Sequence, residues 1–146
     1  MLMKKSKSPN LEQQICFPLY VLAKEITGLY RPFLDELDIT YSQYLVMMVL
    51  WEDEGLSVNC IGDKLYLDSG TLTPLLKRLE SKGFISRKRK KEDERVVEIF
   101  ITELGKVLQK KASEIPEKIY GKIDASATDW AELQESANKI LKKIKK

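Results

Sequence analysis

Cysteine is the residue in this sequence best suited to covalent chemistry. It occurs twice, as Cys16 and Cys60, and histidine is absent. Without histidine there is no Ser-His-Asp or Cys-His catalysis and no His-based metal site, and two distant cysteines supply too few ligands for zinc. No metal and no cofactor is therefore expected. Two cysteines do not make a disulfide framework, and in a reducing compartment both rest as thiols. Thiolate chemistry is what remains, and a free cysteine is mostly thiol near neutral pH. Donors that hold a thiolate must then come from tyrosine hydroxyls, a helix N-terminus or a basic side chain.

Cys16 stands in a run with such donors: Gln14-Ile15-Cys16-Phe17-Pro18-Leu19-Tyr20, then Tyr30-Arg31-Pro32 and Thr40-Tyr41. Tyr20 lies one helical turn from Cys16. Tyr30 lies about 21 Å away along a straight helix, beyond a hydrogen bond. It serves Cys16 only from another chain, or if a break at Pro18 folds the segment back. An interior proline kinks or restarts a helix. A restart near Phe17 or Pro18 would put Cys16 at a helix N-terminus, where the dipole favours an anion. The opposite expectation, an inert buried thiol, is the commonest fate of a free cysteine. Cys60 reads as incidental, and a Cys16–Cys60 disulfide has nothing to support it.

The second constellation is electrostatic. The chain carries a net charge of +3. Between Lys77 and Arg95, nine bases (Lys77, Arg78, Lys82, Arg87, Lys88, Arg89, Lys90, Lys91 and Arg95) face four acids, a net +5 that leaves −2 elsewhere. Such a concentration is a footprint for a polyanion.

The elements that must position these residues are legible from periodicity and caps. A helix is expected over residues 11–37 after an Asn10 cap, and a second over 41–53 after Thr40, with Tyr44, Leu45, Met48 and Trp51 as its stripe. Ser57 caps a short third helix with Val58, Ile61 and Leu65 on one side. After the turn Leu67-Asp68-Ser69-Gly70, a fourth over 71–82 carries Leu72, Leu75, Leu76 and Leu79, and Gly83 stops it. Two strands, 84–87 and 96–101, flank a polar hairpin. Thr102 caps a fifth helix with Leu104, Val107, Leu108 and Ile115, which Pro116 bends. Ser126 with Asp129 makes a capping box for a last helix bearing Trp130, Leu133, Ala137, Ile140, Leu141 and Ile144. The polar start, residues 1–9, reads as a disordered basic arm and not as a secretory signal, and no apolar run is long enough to span a bilayer. A cytoplasmic protein, free of membranes, is expected.

Two short helices, a tight turn and a basic hairpin present the fourth helix to a major groove. Ser69, Gly70, Thr71, Thr73, Pro74, Lys77 and Arg78 lie on its outer side or at its start. Lys88, Arg89 and Lys90 belong to the hairpin, whose Arg95, braced by Asp93, suits a minor groove. The architecture is mainly α with a small β-wing.

The string Asp68-Ser69-Gly70-Thr71-Leu72-Thr73-Pro74-Leu75-Leu76-Lys77-Arg78-Leu79-Glu80, followed by Glu92-Asp93-Glu94-Arg95, resembles the MarR family of winged helix-turn-helix regulators, over nearly the whole chain. The cysteine and tyrosine pattern is similar to that of the OhrR-like, organic-hydroperoxide-sensing branch. The resemblance implies a homodimer joined through residues 10–37 and 102–146, with residues 40–101 binding double-stranded DNA at a pseudo-palindromic operator. It implies that Cys16 is the redox-sensing residue, supported by Tyr20, Tyr30 and Tyr41, the last two across the subunit boundary. Members with a second, resolving cysteine carry it near the C-terminal helices, where this chain has none. That implies the single-cysteine version, in which a low-molecular-weight thiol traps the sulfenic acid. Three other readings stay open on residues alone: a MarR-type regulator released by a phenolic ligand lodged among the same tyrosines, a thiol peroxidase, and a structural helical protein.

Overall fold

The computed structural model describes residues 9–144. The expected N-terminal arm, except Pro9, lies outside them. The described residues form two compact units, the first ending at Ser113 and the second beginning at Glu114.

In the first unit Asn10 caps a single 3-10 turn, Leu11–Gln13, by accepting from the Glu12 amide at 3.0 Å. Helix α1 then starts afresh at Cys16 and runs to Glu36. Pro18 is its third residue, within the first turn, where the backbone N–H has no helical partner to lose. The expected break is thus a restart upstream of Pro18, with no folding back. Helix α2 (Tyr41–Glu52) opens on a full capping box between Thr40 and Gln43. Its buried residues are Gln43, Tyr44, Val46, Met47 and Leu50, whereas Leu45, Met48 and Trp51 of the expected stripe are half-buried. The helix is apolar nearly all round, so periodicity alone does not select its inner face.

Strand β1 (Leu56–Ser57) leads into α3 (Val58–Leu65), whose first turn is capped by the Ser57 hydroxyl. Tyr66 adopts a left-handed conformation (φ 59°), and the Gly62 carbonyl accepts both its amide and that of Leu67. This tight turn delivers Asp68 as the cap of α4 (Ser69–Ser81), which begins two residues earlier than periodicity suggests. Gly83, at φ 80°, ends α4 as expected, since a left-handed residue after a helix is best served by glycine. Strands β2 (Ile85–Arg89) and β3 (Val97–Ile101) pair antiparallel, from Ile85 opposite Ile101 to Arg89 opposite Val97. The hairpin tip is therefore shorter than expected. β1 joins the other edge of β3, Leu56 opposite Ile99, which gives the order β1-β3-β2. This third strand was not anticipated, because two residues carry no alternation.

Helix α5 (Glu103–Ala112) is capped by Thr102 and buries Gly105, Leu108 and Ala112, while Leu104 and Val107 of the expected stripe are 50% and 46% exposed. The inner face is chosen by a close approach that only glycine permits. A Cβ on Gly105 would lie 2.3 Å from the Phe84 carbonyl and 2.6 Å from Ile101 Cγ2. The Gly105 carbonyl also accepts the Trp51 indole N–H at 3.1 Å.

In the second unit, α6 (Ile115–Tyr120) has Pro116 as its second residue, so this proline opens a new helix where a bend was expected. Helix α7 (Ala127–Ile144) starts from the expected capping box: Asp129 N donates to Ser126 Oγ at 3.1 Å, and Ser126 N donates to Asp129 Oδ2 at 2.7 Å. The Tyr120 and Trp130 rings meet edge to face. No residue of α7 is buried, and Ile140, Leu141 and Ile144 are exposed.

Replacing Gly105 by alanine should cost about 3 kcal/mol, the range of overpacking at a site that cannot yield. Urea unfolding followed by tryptophan fluorescence measures it, and an unchanged midpoint would mean that α5 moves away freely.

Candidate nucleic-acid interface and thiol site

The helix pair α3–α4 is locked from inside by Ile61, Leu72, Leu76 and Leu79, all buried. This leaves Ser69, Gly70, Thr71, Pro74, Lys77 and Arg78 exposed and Thr73 half-exposed, the face expected to meet DNA. Asp68 orders the start of that face. Its Oδ1 accepts the Thr71 amide at 2.9 Å and its Oδ2 accepts the Thr71 hydroxyl at 3.1 Å. The Thr71 backbone bond, then its hydroxyl, hold the Asp68 carboxyl below its ordinary range. With its proton committed to Asp68, the Thr71 oxygen offers lone pairs outward.

The cations of the basic stretch fall into two groups. Some are tied down. Arg87 Nε donates to Glu80 Oε2 at 2.6 Å, and Lys82 Nζ lies 3.1 Å from Asp38 Oδ1 and also donates to the Asp38 carbonyl. Arg95 forks onto Asp93 through Nε at 3.0 Å and Nη2 at 3.2 Å, while its own amide donates to Asp93 Oδ1. The Arg95 side chain, followed by its amide, lowers the Asp93 carboxyl from its ordinary value. The expected brace is present, at the exposed tip of the wing. The other group, Lys77, Arg78, Lys88, Arg89, Lys90 and Lys91, is exposed and forms no ion pair among the described residues. Lys88 sits 5.1 Å over the Phe100 ring, and Arg89 Nη1 donates to the Glu94 carbonyl at 3.1 Å, so both are aimed without being neutralised. The pairing of Arg87 with Glu80, that of Lys82 with Asp38 and the seat of Lys88 over Phe100 were not read from sequence. These contacts are fixed by tertiary packing, which no local spacing encodes.

Cys16 is exposed as the first residue of α1, and no side chain caps the turn it opens. The Phe17 amide bonds to the Gln14 carbonyl at 3.2 Å and Pro18 has no N–H, so the first turn of α1 offers the thiol few free backbone donors. Tyr20, one turn on, is 68% exposed. Tyr30 and Tyr41 are brought together elsewhere: their rings meet edge-on at 5.2 Å and both contact Tyr44, which in turn meets Trp51. Because α1 is unbroken between them, Cys16 and Tyr30 are about 21 Å apart along the same helix. One chain does not unite the predicted thiol site. Cys60 is half-buried on α3 and, like Cys16, free. A groove of about 230 Å³ opens between the end of α1, Phe84 and α5, lined by Leu37, Leu104, Val107 and Lys111 among others. None of the three predicted tyrosines lines it.

A helix-turn-helix with a braced basic wing and an unpaired cationic face defines a winged-helix DNA-binding protein. Residues 28–115 match the family model described as transcriptional regulator SarA/Rot. The chain belongs to this family of transcriptional regulators, and within the wider MarR group it falls in the OhrR-like branch. It is 49% identical over 135 residues to the organic hydroperoxide resistance transcriptional regulator of Bacillus subtilis, covering 92% of each chain. It is 38% identical over 133 residues to the regulator SarZ of Staphylococcus aureus, covering 91% of this chain and 90% of SarZ. Reduced AbfR bound to DNA superposes with a TM-score of 0.81 at 35% identity, covering 92% of each chain. AbfR, known from Staphylococcus epidermidis, has also been solved overoxidised on DNA and in a disulfide-formed state.

Folding lowers the Asp68 carboxyl, so its capping contribution is complete above the ordinary value of 3.8 and is lost as pH falls through the lowered one. Asp68→Ala should therefore unfold at lower urea than wild type at pH 7, and the gap should narrow below about pH 4. A gap of constant size from pH 7 to pH 3 would assign Asp68 a different role.

Proposed function

We propose that the chain is a dimeric repressor that holds its operator while Cys16 is reduced and releases it when an organic hydroperoxide oxidises that thiol. The observation that supports this reading is the unbroken α1: it separates Cys16 from the Tyr30–Tyr41 pair within one protomer, and on this reading a second protomer completes the site. The start of α1 and the outer face of α7 support that assembly. Ile15, Phe17, Leu19 and Leu22 on one, and Ile140, Leu141 and Ile144 on the other, are apolar and uncovered in the single chain. Residues 10–37 and 102–146 are then the dimerisation segments, and residues 40–101 the DNA-binding region. Tyr20 serves from the same chain as Cys16, Tyr30 and Tyr41 from the partner.

On duplex DNA each protomer lays α4 in a major groove through Ser69, Gly70, Thr71, Thr73, Pro74, Lys77 and Arg78. Its wing brings Lys88, Arg89 and Lys90 to the backbone and Arg95, braced by Asp93, to the minor groove. Two copies make the preferred site pseudo-palindromic.

In the sensing step the Cys16 thiolate attacks the terminal oxygen of the hydroperoxide. An S–O bond forms, the O–O bond breaks, and the alkoxide leaves and takes a proton from water. Sulfur is oxidised by two electrons to sulfenic acid and the peroxide is reduced to an alcohol. A low-molecular-weight thiol then displaces water to give a mixed disulfide. The likeness to a hydroperoxide resistance regulator, and to AbfR in reduced and oxidised forms, supports this chemistry. No helix among the described residues is long and apolar enough to cross a membrane, in keeping with work on DNA in the cytoplasm.

A gel shift on DNA upstream of the protein's own gene tests the switch. Hydroperoxide should release wild type and Cys60→Ser but leave Cys16→Ser bound, and release of Cys16→Ser would end the proposal. Mixed dimers test the shared site. A Cys16→Ser chain paired with a Tyr30→Phe/Tyr41→Phe chain rebuilds one complete site, so its Cys16 should oxidise about as fast as wild type. A rate no faster than the Tyr30→Phe/Tyr41→Phe homodimer would show that the tyrosines act within their own chain.

A further inference from the structure

We infer that Glu80 is a positioning residue for operator discrimination, acting through Arg87 to fix the wing against α4. Glu80 lies in the last turn of α4 and Arg87 in the middle of β2, seven residues later. Glu80 Oε2 accepts Arg87 Nε at 2.6 Å, and Oε1 accepts the Arg87 backbone amide at 3.3 Å. One carboxylate thus grips both the side chain and the main chain of the strand.

The environment makes this grip effective. The two side chains are 35% and 30% exposed, so solvent screens the pair less than it screens the fully exposed pairs of the surface. Within the hairpin, Arg87 pairs with Ile99 at the buried centre of β3. A shift at Arg87 is therefore a shift of the whole two-stranded wing and of Arg95 at its tip. Charge-assisted hydrogen bonds are the strong ones, and here two of them converge on adjoining elements.

The function of the pair follows from a conflict of signs. A carboxylate within a net-positive stretch opposes attraction to phosphate, and the pair also removes Arg87 from the free cations. If overall charge were what mattered, this acid would weaken binding. Its gain is geometric. Phosphate contacts set affinity, whereas base contacts set sequence preference. Base contacts from α4 in a major groove and from Arg95 in a minor groove are satisfied together only when wing and helix keep one relative placement. Glu80 trades some sequence-independent attraction for that placement.

This inference rests on the DNA-binding reading above, and the experiment separates the two. The probes are a duplex selected by the wild-type protein from a randomised library and a scrambled duplex of the same length and composition, both at fixed salt. Glu80→Ala liberates a cation and should bind the scrambled duplex more tightly. Arg87→Ala liberates an anion and should bind it more weakly. Despite these opposite effects, both should lower the ratio of selected to scrambled affinity at least about fivefold, the scale of coupling between contacting charged groups. The double variant Glu80→Ala/Arg87→Ala should lose no more discrimination than either single one. Glu80→Gln, which keeps an acceptor for the Arg87 amide, should retain an intermediate ratio. Circular dichroism and dimer mass exclude general misfolding, which would lower both affinities together. If wild type discriminates and the variants keep its ratio, or if the ratio merely follows net charge, the assignment of Glu80 is overturned and the DNA-binding reading stands. If wild type itself selects no duplex, both fall.

Discussion

The rise of an α-helix, about 1.5 Å per residue, makes α1 a rigid spacer. From Cys16 to Glu36 it contains no break that would let its ends approach each other. The Cys16 thiol therefore stands at one end, exposed, and the aromatic cluster of Tyr30, Tyr41 and Tyr44 is built near the other, where α1 meets α2. Any chemistry that uses both must bring two copies together head to tail. At the front of α1 the apolar residues Ile15, Phe17, Leu19 and Leu22 are exposed.

The DNA-binding region follows a different logic, in which charge is sorted by position. Hydrophobic contacts fix α3 against α4, and ion pairs then fix what hydrophobic contacts leave adjustable. Lys82 ties the end of α4 to the α1–α2 corner at Asp38, Glu80 ties α4 to β2, and Asp93 sets the Arg95 fork. All three pairs are at least partly open to solvent, and such bonds contribute little to stability. Their effect is to aim side chains. Within the basic stretch, the cations without an ion pair among the described residues lie on α4 and the hairpin, where a phosphate backbone would meet them.

Much of this was legible in the sequence wherever the determinant is local. Thr40, Ser57, Thr102 and Ser126 cap the helices they were expected to precede, and within the expected turn 67–70 the cap is Asp68, because a cap is a bond between residues two or three apart. Gly83 and the Asp93–Arg95 brace are of the same kind. The faces of α2 and α5 were not legible. Apolar residues surround α2, and α5 turns a glycine inward because Phe84 and Ile101 come too close for any side chain. Two proline effects were anticipated in place but not in kind: Pro18 and Pro116 sit in first turns, where proline starts helices that it would otherwise break. Of the thiol site, sequence supplied the residues and the distance problem, and the unbroken helix removes a fold-back within one chain as its solution.

An exposed thiol at a helix terminus has few means of moving α4 within its own chain. Cys16 and Tyr20 are exposed, and the ion pairs that aim α4 reach it from the α1–α2 corner and from the wing, not from the first turn of α1. In a dimer the situation reverses, because a group near Tyr30 and Tyr41 of the partner stands one short corner from the partner's Asp38–Lys82 link. Charge-assisted hydrogen bonds contribute about 1.5–3 kcal/mol each. Losing two of them, about 3–6 kcal/mol, is of the order of the about 5.5 kcal/mol that a complete reversal from mostly bound to mostly free needs. On the proposed reading the signal would be carried by what one chain does to the other, with the dimer interface part of the sensor as well as of the scaffold.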